Sequence, residues 1–366
     1  MKILHTEASA GWGGQELRIL AEMQGLRERG HVLELAAPAS ARIHREAAEL
    51  GFRVHDVPIG RKAVRGIAAM RALLAREGYD LVNTHSSTDT WLTALANRLL
   101  RRPPPLVRTR HISAPVSRNR ATRWLYDRAC TAIVTTGETL RRELIEANGF
   151  THVPIRSVPT GIDPARFQPG DPVRARAELG LPARTTVGIL ATLRSWKGHR
   201  FLVEAIGLLR GRGLDLQLLV VGDGPQREAL EAQVAAAGLG DVVRFIGHDP
   251  RPERWLRALD LFVLPSYANE GVPQALMQAM MSGLPCITTD VGAIGEIAKP
   301  GSTAVLVPTQ DSAALADAIE RLLADPEQRR RLGASAREFA LARCTRAAMC
   351  DAMEEVFADA IRRRGA

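Results

Sequence analysis

Short apolar runs alternate with stretches of helical period along almost the whole chain. Ile3-Leu4 opens the pattern and a glycine-rich loop, Gly11-Trp12-Gly13-Gly14, follows it. The next segment places Ile19, Met23 and Leu26 three and four positions apart, the spacing of one helix face. Strands are then expected at Val32–Leu35, Phe52–Val57, Leu81–His85, Val107–Ile112 and Ala132–Thr135. A helix through Trp91 to Leu100 ends at Pro103-Pro104-Pro105. The pattern is interrupted after Val158-Pro159-Thr160-Gly161-Ile162-Asp163, and a linker is expected over residues 163–182. It then restarts, with strands expected at Val187–Leu190, Leu216–Val221, Val242–Ile246, Leu261–Leu264, Cys286–Thr288 and Val305–Val307. From Asp311 the chain reads as helical, in the segments Ala313–Ala324, Pro326–Arg343 and Arg346–Arg363. Strand and helix alternating in this way predict right-handed βαβ units and parallel sheets. The fold class is therefore α/β, with two doubly wound domains, 1–165 and 166–345, and a C-terminal helical segment, 346–366.

Composition narrows the classes. A chain of 366 residues exceeds one ordinary core. Hydrophobic residues make up 46% and charged ones 24%, the balance of a globular protein, and no apolar run reaches the length of a membrane span. The net charge of +9 has three readings: a solvated basic surface, a face for anionic lipid or phosphate-bearing acceptors, or nucleic-acid binding. Aromatics at 4%, with no basic run interleaved with stacking residues, argue against the last. Met1-Lys2-Ile3-Leu4-His5 is charged again too soon for a signal peptide. The four cysteines lack metal-ligand spacing and read as reduced, packed thiols of a cytoplasmic protein.

Candidate chemistry gathers where strands end, the edge at which doubly wound sheets bind ligands. Gly13 and Gly14 serve either a close backbone approach to an anion or sugar, or a tight turn. In Arg194-Ser195-Trp196-Lys197-Gly198 two cations three positions apart are spaced to clamp a diphosphate, the reading preferred over a solvated loop. Gly222, in Val221-Gly222-Asp223-Gly224-Pro225, either shapes the floor under a base or ribose or makes a turn. Glu270-Gly271-Val272-Pro273 joins a carboxylate to a new helix N-terminus, with Pro273 expected at its first position. Unpaired N–H groups there suit phosphate, and Glu270 suits sugar hydroxyls. Gln278 lies two turns on, near the same face. His85 and His111 each end a strand, whereas His5, His55 and His152 are expected to be half-exposed and without a role. No metal-ligand spacing, P-loop or G-x-S-x-G is present, so no metal and no cofactor are expected.

Taken in order, these landmarks resemble one family. They are Gly13-Gly14, Arg110-His111-Ile112, Val158-Pro159-Thr160-Gly161-Ile162-Asp163 with Phe167, Arg194 with Lys197-Gly198, Val221 to Pro225, Phe245-Ile246-Gly247, Glu270 to Pro273, Gly283-Leu284-Pro285, and Asp290-Val291-Gly292 with Glu296. The chain resembles the retaining glycosyltransferases of family four, also called glycosyl transferases group 1, of GT-B fold. The resemblance implies two Rossmann-like domains facing a cleft, with a nucleoside diphosphate sugar held mainly by the second and an acceptor by the first. It implies diphosphate contacts from Arg194 and Lys197 and sugar contacts from Glu270. The amides of Gly271 and Val272 would lie near sugar and phosphate, and His111 beside the reacting sugar. Gly13, Gly14 and His85 fall on the acceptor side. It further implies transfer with retention, no bound metal, and a last helix, Arg346 to Arg363, that crosses back to the first domain. Envelope polysaccharide or lipopolysaccharide assembly at the cytoplasmic face of the membrane is the implied setting, with a glycan or lipid-linked acceptor. The family pattern has glutamate where this chain has Gln278, and commonly glycine where it has Ala304. A neutral Gln278 weakens the expected hold on the donor ribose. A nucleotide-sugar epimerase or phosphorylase, and a catalytically weak scaffold, are the competing readings.

Overall fold

The computed structural model describes residues 1–111 and 115–365. The chain divides into two units. Unit 1 comprises Met1–Gly161 and the C-terminal segment from Arg346; unit 2 comprises Ile162–Thr345.

Unit 1 is built on seven parallel strands: β1 Lys2–Thr6, β2 Val32–Ala37, β3 Arg53–Asp56, β4 Leu81–Thr84, β5 Leu106–Arg110, β6 Ala132–Thr135 and β7 Ile155–Ser157. Their order is β3-β2-β1-β4-β5-β6-β7, with the switch point at β1 and β4. Both faces of this sheet are covered, which is why its strands read as apolar runs rather than alternations. One face holds Ile3, Leu35, Leu81 and Val107 against Ile19, Met23 and Leu26 of the helix Gly14–Glu28. The other holds Leu4, Val82, Leu106 and Ile133 against Met70, Leu92 and Leu125. The helix Arg346–Gly365 adds Met349, Met353 and Phe357 to the first face. Gly25 makes that packing close: a Cβ there would overlap Cys350 Sγ. A glycine that weakens a helix in isolation is thus justified by the approach of its neighbour.

Unit 2 has six parallel strands: β8 Thr185–Leu190, β9 Leu216–Val221, β10 Val243–Gly247, β11 Leu261–Leu264, β12 Cys286–Thr288 and β13 Val305–Leu306. Their order is β10-β9-β8-β11-β12-β13. Glycines at strand ends let the loops pack backbone on backbone. Gly198 (φ 76°) and Gly222 (φ 139°) are left-handed, and a Cβ on either would overlap the carbonyl oxygen of Pro265 or Ala191 respectively.

Three expectations need correction. The stretch 163–182 is not a plain linker: Pro172–Glu178 is a helix of unit 2, its N-cap Asp171 accepting bonds from Val173 N and Arg174 N. Pro273 is not the first helical residue; it caps the helix Gln274–Met281 in extended conformation (φ −71°, ψ 122°). The strand expected to end at Ile112 ends at Arg110, and Ile112 lies outside the described residues. The four cysteines are buried and unpaired, burial pushing the thiol of Cys344 up to about 11. Among the described residues, no helix is long and apolar enough to cross a membrane.

Candidate active site

Unit 1 carries a buried polar cluster at the carboxyl ends of β1, β4 and β5. Strand register explains it. His5 is level with Asn83, and Asn83 with Val107. Side chains two apart share a face. His5, His85 and His111 therefore climb one same-face step per strand across β1, β4 and β5. His5 Nδ1 lies 2.9 Å from His85 Nε2, and His85 Nδ1 lies 2.9 Å from His111 Nε2. His5 is fully buried, contrary to the expectation of a half-exposed residue without a role. Burial lowers its pKa to about 3. Burial holds His85 and His111 well below the usual range, and the Arg18 charge reinforces this for both. His55 is half-buried instead, bonded to Glu34 Oε2 at 2.6 Å.

Beneath the imidazoles lies a buried network. Arg18 and Glu22, both fully buried, approach to 3.6 Å. Arg18 Nη1 donates to Val158 O at 2.7 Å, and Asn83 Nδ2 donates to Glu22 Oε1 at 3.1 Å. Burial pushes the Glu22 carboxyl up to about 7 against the pull of Arg18.

The glycine-rich loop is anchored by Glu7. Its carboxylate accepts from Ser9 N at 2.7 Å and from the Gln15 amide. Gly13 is extended (φ −174°), and among the described residues a Cβ there would meet only Glu16 Oε2, at 3.9 Å. Among the described residues, neither a left-handed turn nor close packing requires glycine there. Gly14 opens the following helix.

Burial, then the Asp89 charge, raise the Glu7 carboxyl to about 8. Between its ordinary value of 4.5 and about 8 the folded state holds a proton that the unfolded chain has released. Stability from this group therefore falls as pH rises through that window. The variant Glu7→Gln is expected to match the wild type near pH 4.5 and to exceed it at pH 8, by several kcal/mol, about 1.4 for each unit of the window. Urea unfolding at both pH values measures this, and a gap that does not widen with pH removes Glu7 as its source.

In unit 2 the loops after β8, β9, β11 and β12 meet. Arg194 caps the short 3-10 turn Ser195–Lys197, and its guanidinium lies over the Trp196 ring, 5.2 Å from the centroid. Lys197 Nζ donates to Glu270 Oε1 at 2.6 Å. Ser266 Oγ donates to the same oxygen at 2.6 Å. Glu270 is 4% exposed, so this is a largely buried ion pair. Asn269, at φ 55°, turns the chain into it. Glu270 O accepts from Ala293 N at 3.2 Å, and a Cβ on Gly292 would overlap that carbonyl. Gly222 N donates to Gly247 O at 2.9 Å. Gly271 is half-buried; Val272 and Pro273 are buried and lead into the helix Gln274–Met281. Gln278 is half-buried in that helix, and the Glu270 carboxylate is engaged by Lys197 and Ser266 instead. Among the described residues, no group of three His, Cys, Asp or Glu side chains is arranged to hold a metal ion.

The structure thus brings together Lys197, Glu270 and the Gly271–Pro273 turn in unit 2, and His85 with His111 in unit 1. Sequence reasoning missed His5, Arg18, Glu7 and Ser266. Parity was a usable signal for His5, which shares its face with Ile3. Ser266, the second residue after β11, carried no distinctive spacing.

The family described as Glycosyl transferases group 1 matches residues 174–339, and Glycosyltransferase Family 4 matches residues 12–166. The D-inositol 3-phosphate glycosyltransferase of Nocardia farcinica is 35% identical over 283 residues, covering 70% of this chain and 61% of that protein. The lipopolysaccharide core biosynthesis mannosyltransferase LpsB of Rhizobium meliloti is 33% identical over 231 residues, 60% of this chain and 63% of that one. This chain therefore spans less than two thirds of the length of either relative. The crystal structure of Anabaena Alr3699/HepE in complex with UDP superposes with a TM-score of 0.86 at 21% identity, over 98% of this chain and 100% of that one.

Proposed function

Because this chain belongs to the group 1 glycosyltransferases of family four, with two doubly wound domains of the GT-B class, we propose that it moves a sugar from a nucleoside diphosphate sugar to a hydroxyl of a glycan or lipid-linked acceptor. The observation that carries this reading is the Lys197–Glu270 pair, 2.6 Å, at the carboxyl edge of the unit 2 sheet. A cation and a carboxylate held side by side suit the two halves of such a donor, the diphosphate and the sugar hydroxyls. Arg194 and the Gly271 and Val272 amides add positive potential on the same edge. In this reading the C–O bond from sugar to diphosphate breaks, and its electron pair leaves with the diphosphate. The acceptor hydroxyl oxygen bonds to the same face, which retains configuration, and its proton passes to the leaving diphosphate oxygen. The charge on the leaving group is met by Lys197, Arg194 and backbone dipoles, without a bound metal. UDP in the complex with Alr3699/HepE supports a uridine donor. The mannosyltransferase LpsB supports an envelope setting for the acceptor. An anionic membrane surface facing the +9 chain belongs to the same proposal.

The test is a panel of UDP- and GDP-sugars in a thermal-shift assay with a chelator present, followed by product analysis with envelope glycolipid fractions. One donor is expected to raise the melting temperature by a few degrees, since a ligand at about 100 times its Kd adds roughly 2.7 kcal/mol. The product is expected to keep the donor's anomeric configuration. Conversion of the donor alone, with no acceptor, would mark an epimerase; no shift with any donor would leave a scaffold.

A further inference from the structure

Three imidazoles cross unit 1 edge to edge, with both nitrogen–nitrogen distances 2.9 Å, ring centroids 5.2 Å apart and interplanar angles of 12° and 35°. We propose that His5 and His85 are positioning residues that fix His111 as its neutral Nδ1–H tautomer, leaving that N–H to donate to an oxygen of the sugar substrate. This rests on the reading of His111 as the group beside the reacting sugar.

The argument is a proton count. Each short nitrogen–nitrogen contact needs one proton between its two atoms. Three neutral rings carry three protons, so after the two contacts one N–H remains, at one end of the chain or the other. If the bonds ran inward, that N–H would sit on His5 Nε2. This atom is buried and, among the described residues, has no hydrogen-bond partner. A buried orphan N–H loses its hydration with nothing in return, and such groups are rarer in folded proteins than unmet buried acceptors. If the bonds run outward, His5 Nε2 keeps only a lone pair and the spare N–H appears on His111 Nδ1. His111 is half-buried, and among the described residues no group bonds its Nδ1. The outward order is therefore favoured: His5 Nδ1–H to His85 Nε2, and His85 Nδ1–H to His111 Nε2. Neutrality of all three rings follows from burial and from the Arg18 and Arg108 charges nearby. A donor fixed in this way needs no reorientation when the sugar arrives.

Ring nitrogen shifts of 15N-histidine-labelled protein at pH 7.5 test it, with signals assigned through single-histidine variants. All three rings are expected neutral with the proton on Nδ1, the minority form of a free histidine side chain in water. A proton on Nε2 of His85 or His111, or a cationic ring, overturns the proposal. The kinetic arm compares His5→Asn, whose amide keeps an N–H near the Nδ1 position, with His5→Leu, which removes it. His5→Asn is expected to stay within about threefold of wild-type kcat, and His5→Leu to lose about tenfold in kcat with the donor KM within about twofold. His85 and His111 signals unchanged in His5→Leu would sever the chain as an explanation. Should His5→Leu not fold, the wild-type spectrum still decides. The expected tautomers without any sugar transfer would count against the functional reading, not against this one.

Discussion

Replacing Lys197 by alanine is expected to lower kcat by roughly 10²–10³-fold, the loss typical of removing one preorganised charge-stabilising donor. The geometry adds a second consequence. Lys197 Nζ is the cationic partner of a Glu270 carboxylate that is 4% exposed. Removing it leaves that carboxylate buried with, among the described residues, only Ser266 as a side-chain partner. Unit 2 should therefore also lose stability, by about 3 kcal/mol for a broken buried pair. The two effects separate in the double variant Lys197→Met with Glu270→Gln. Taking away both charges should recover most of the stability and none of the turnover. Steady-state kinetics and urea unfolding of the three proteins measure this. A single variant that keeps wild-type turnover removes Lys197 from the diphosphate clamp. A double variant that recovers turnover reduces the pair to a structural one.

The second large effect is expected at Arg18. Its guanidinium is fully buried, 3.6 Å from Glu22 Oε2, and binds Val158 O and Thr160 Oγ. Arg18→Met should destabilise unit 1 by about 3–5 kcal/mol, because it strands Glu22 and two acceptors. The sign of its pH dependence is fixed by Glu22, whose carboxyl sits near pH 7. Below that value Glu22 is protonated and needs no counter-ion, so the loss should shrink from pH 8 to pH 5.5. Unfolding followed through Trp12, Trp91 and Trp124 of unit 1 reports it. A loss below about 1 kcal/mol, or one that grows on acidification, contradicts the account of a charge held by its partner.

Much of the fold was legible because parallel sheets covered on both faces leave unmistakable apolar runs. Leu216–Val221 and Leu261–Leu264 are buried at every position. Strand β7 escaped notice because only Ile155 of its three residues is buried, and it lies at the sheet edge. The helix Pro172–Glu178 was hidden by its own start signal: Asp171-Pro172 reads as loop composition, yet is an N-cap followed by a proline at the first turn. In the site, strand-end position identified Lys197 and Glu270, but not that they touch, since 73 positions separate them. His5 was discounted because a polar residue in a first strand looks like an exposed one. Only register with β4, which no local pattern encodes, puts it in line with His85.

The helix Arg346–Gly365 belongs to unit 1, and Ile162 bridges Thr345 where the chain leaves for unit 2 and comes back. Unit 2 is therefore an insertion within unit 1 rather than a successor to it. During synthesis, a nascent chain whose segment from Arg346 is still inside the ribosome can already have completed unit 2. Unit 1, begun first, still lacks Met349, Met353 and Phe357 and shows the face they will cover. The unit begun first is thus the second to close, and losing the helix Arg346–Gly365 would uncover the sheet face that Ile3, Leu35 and Leu81 share.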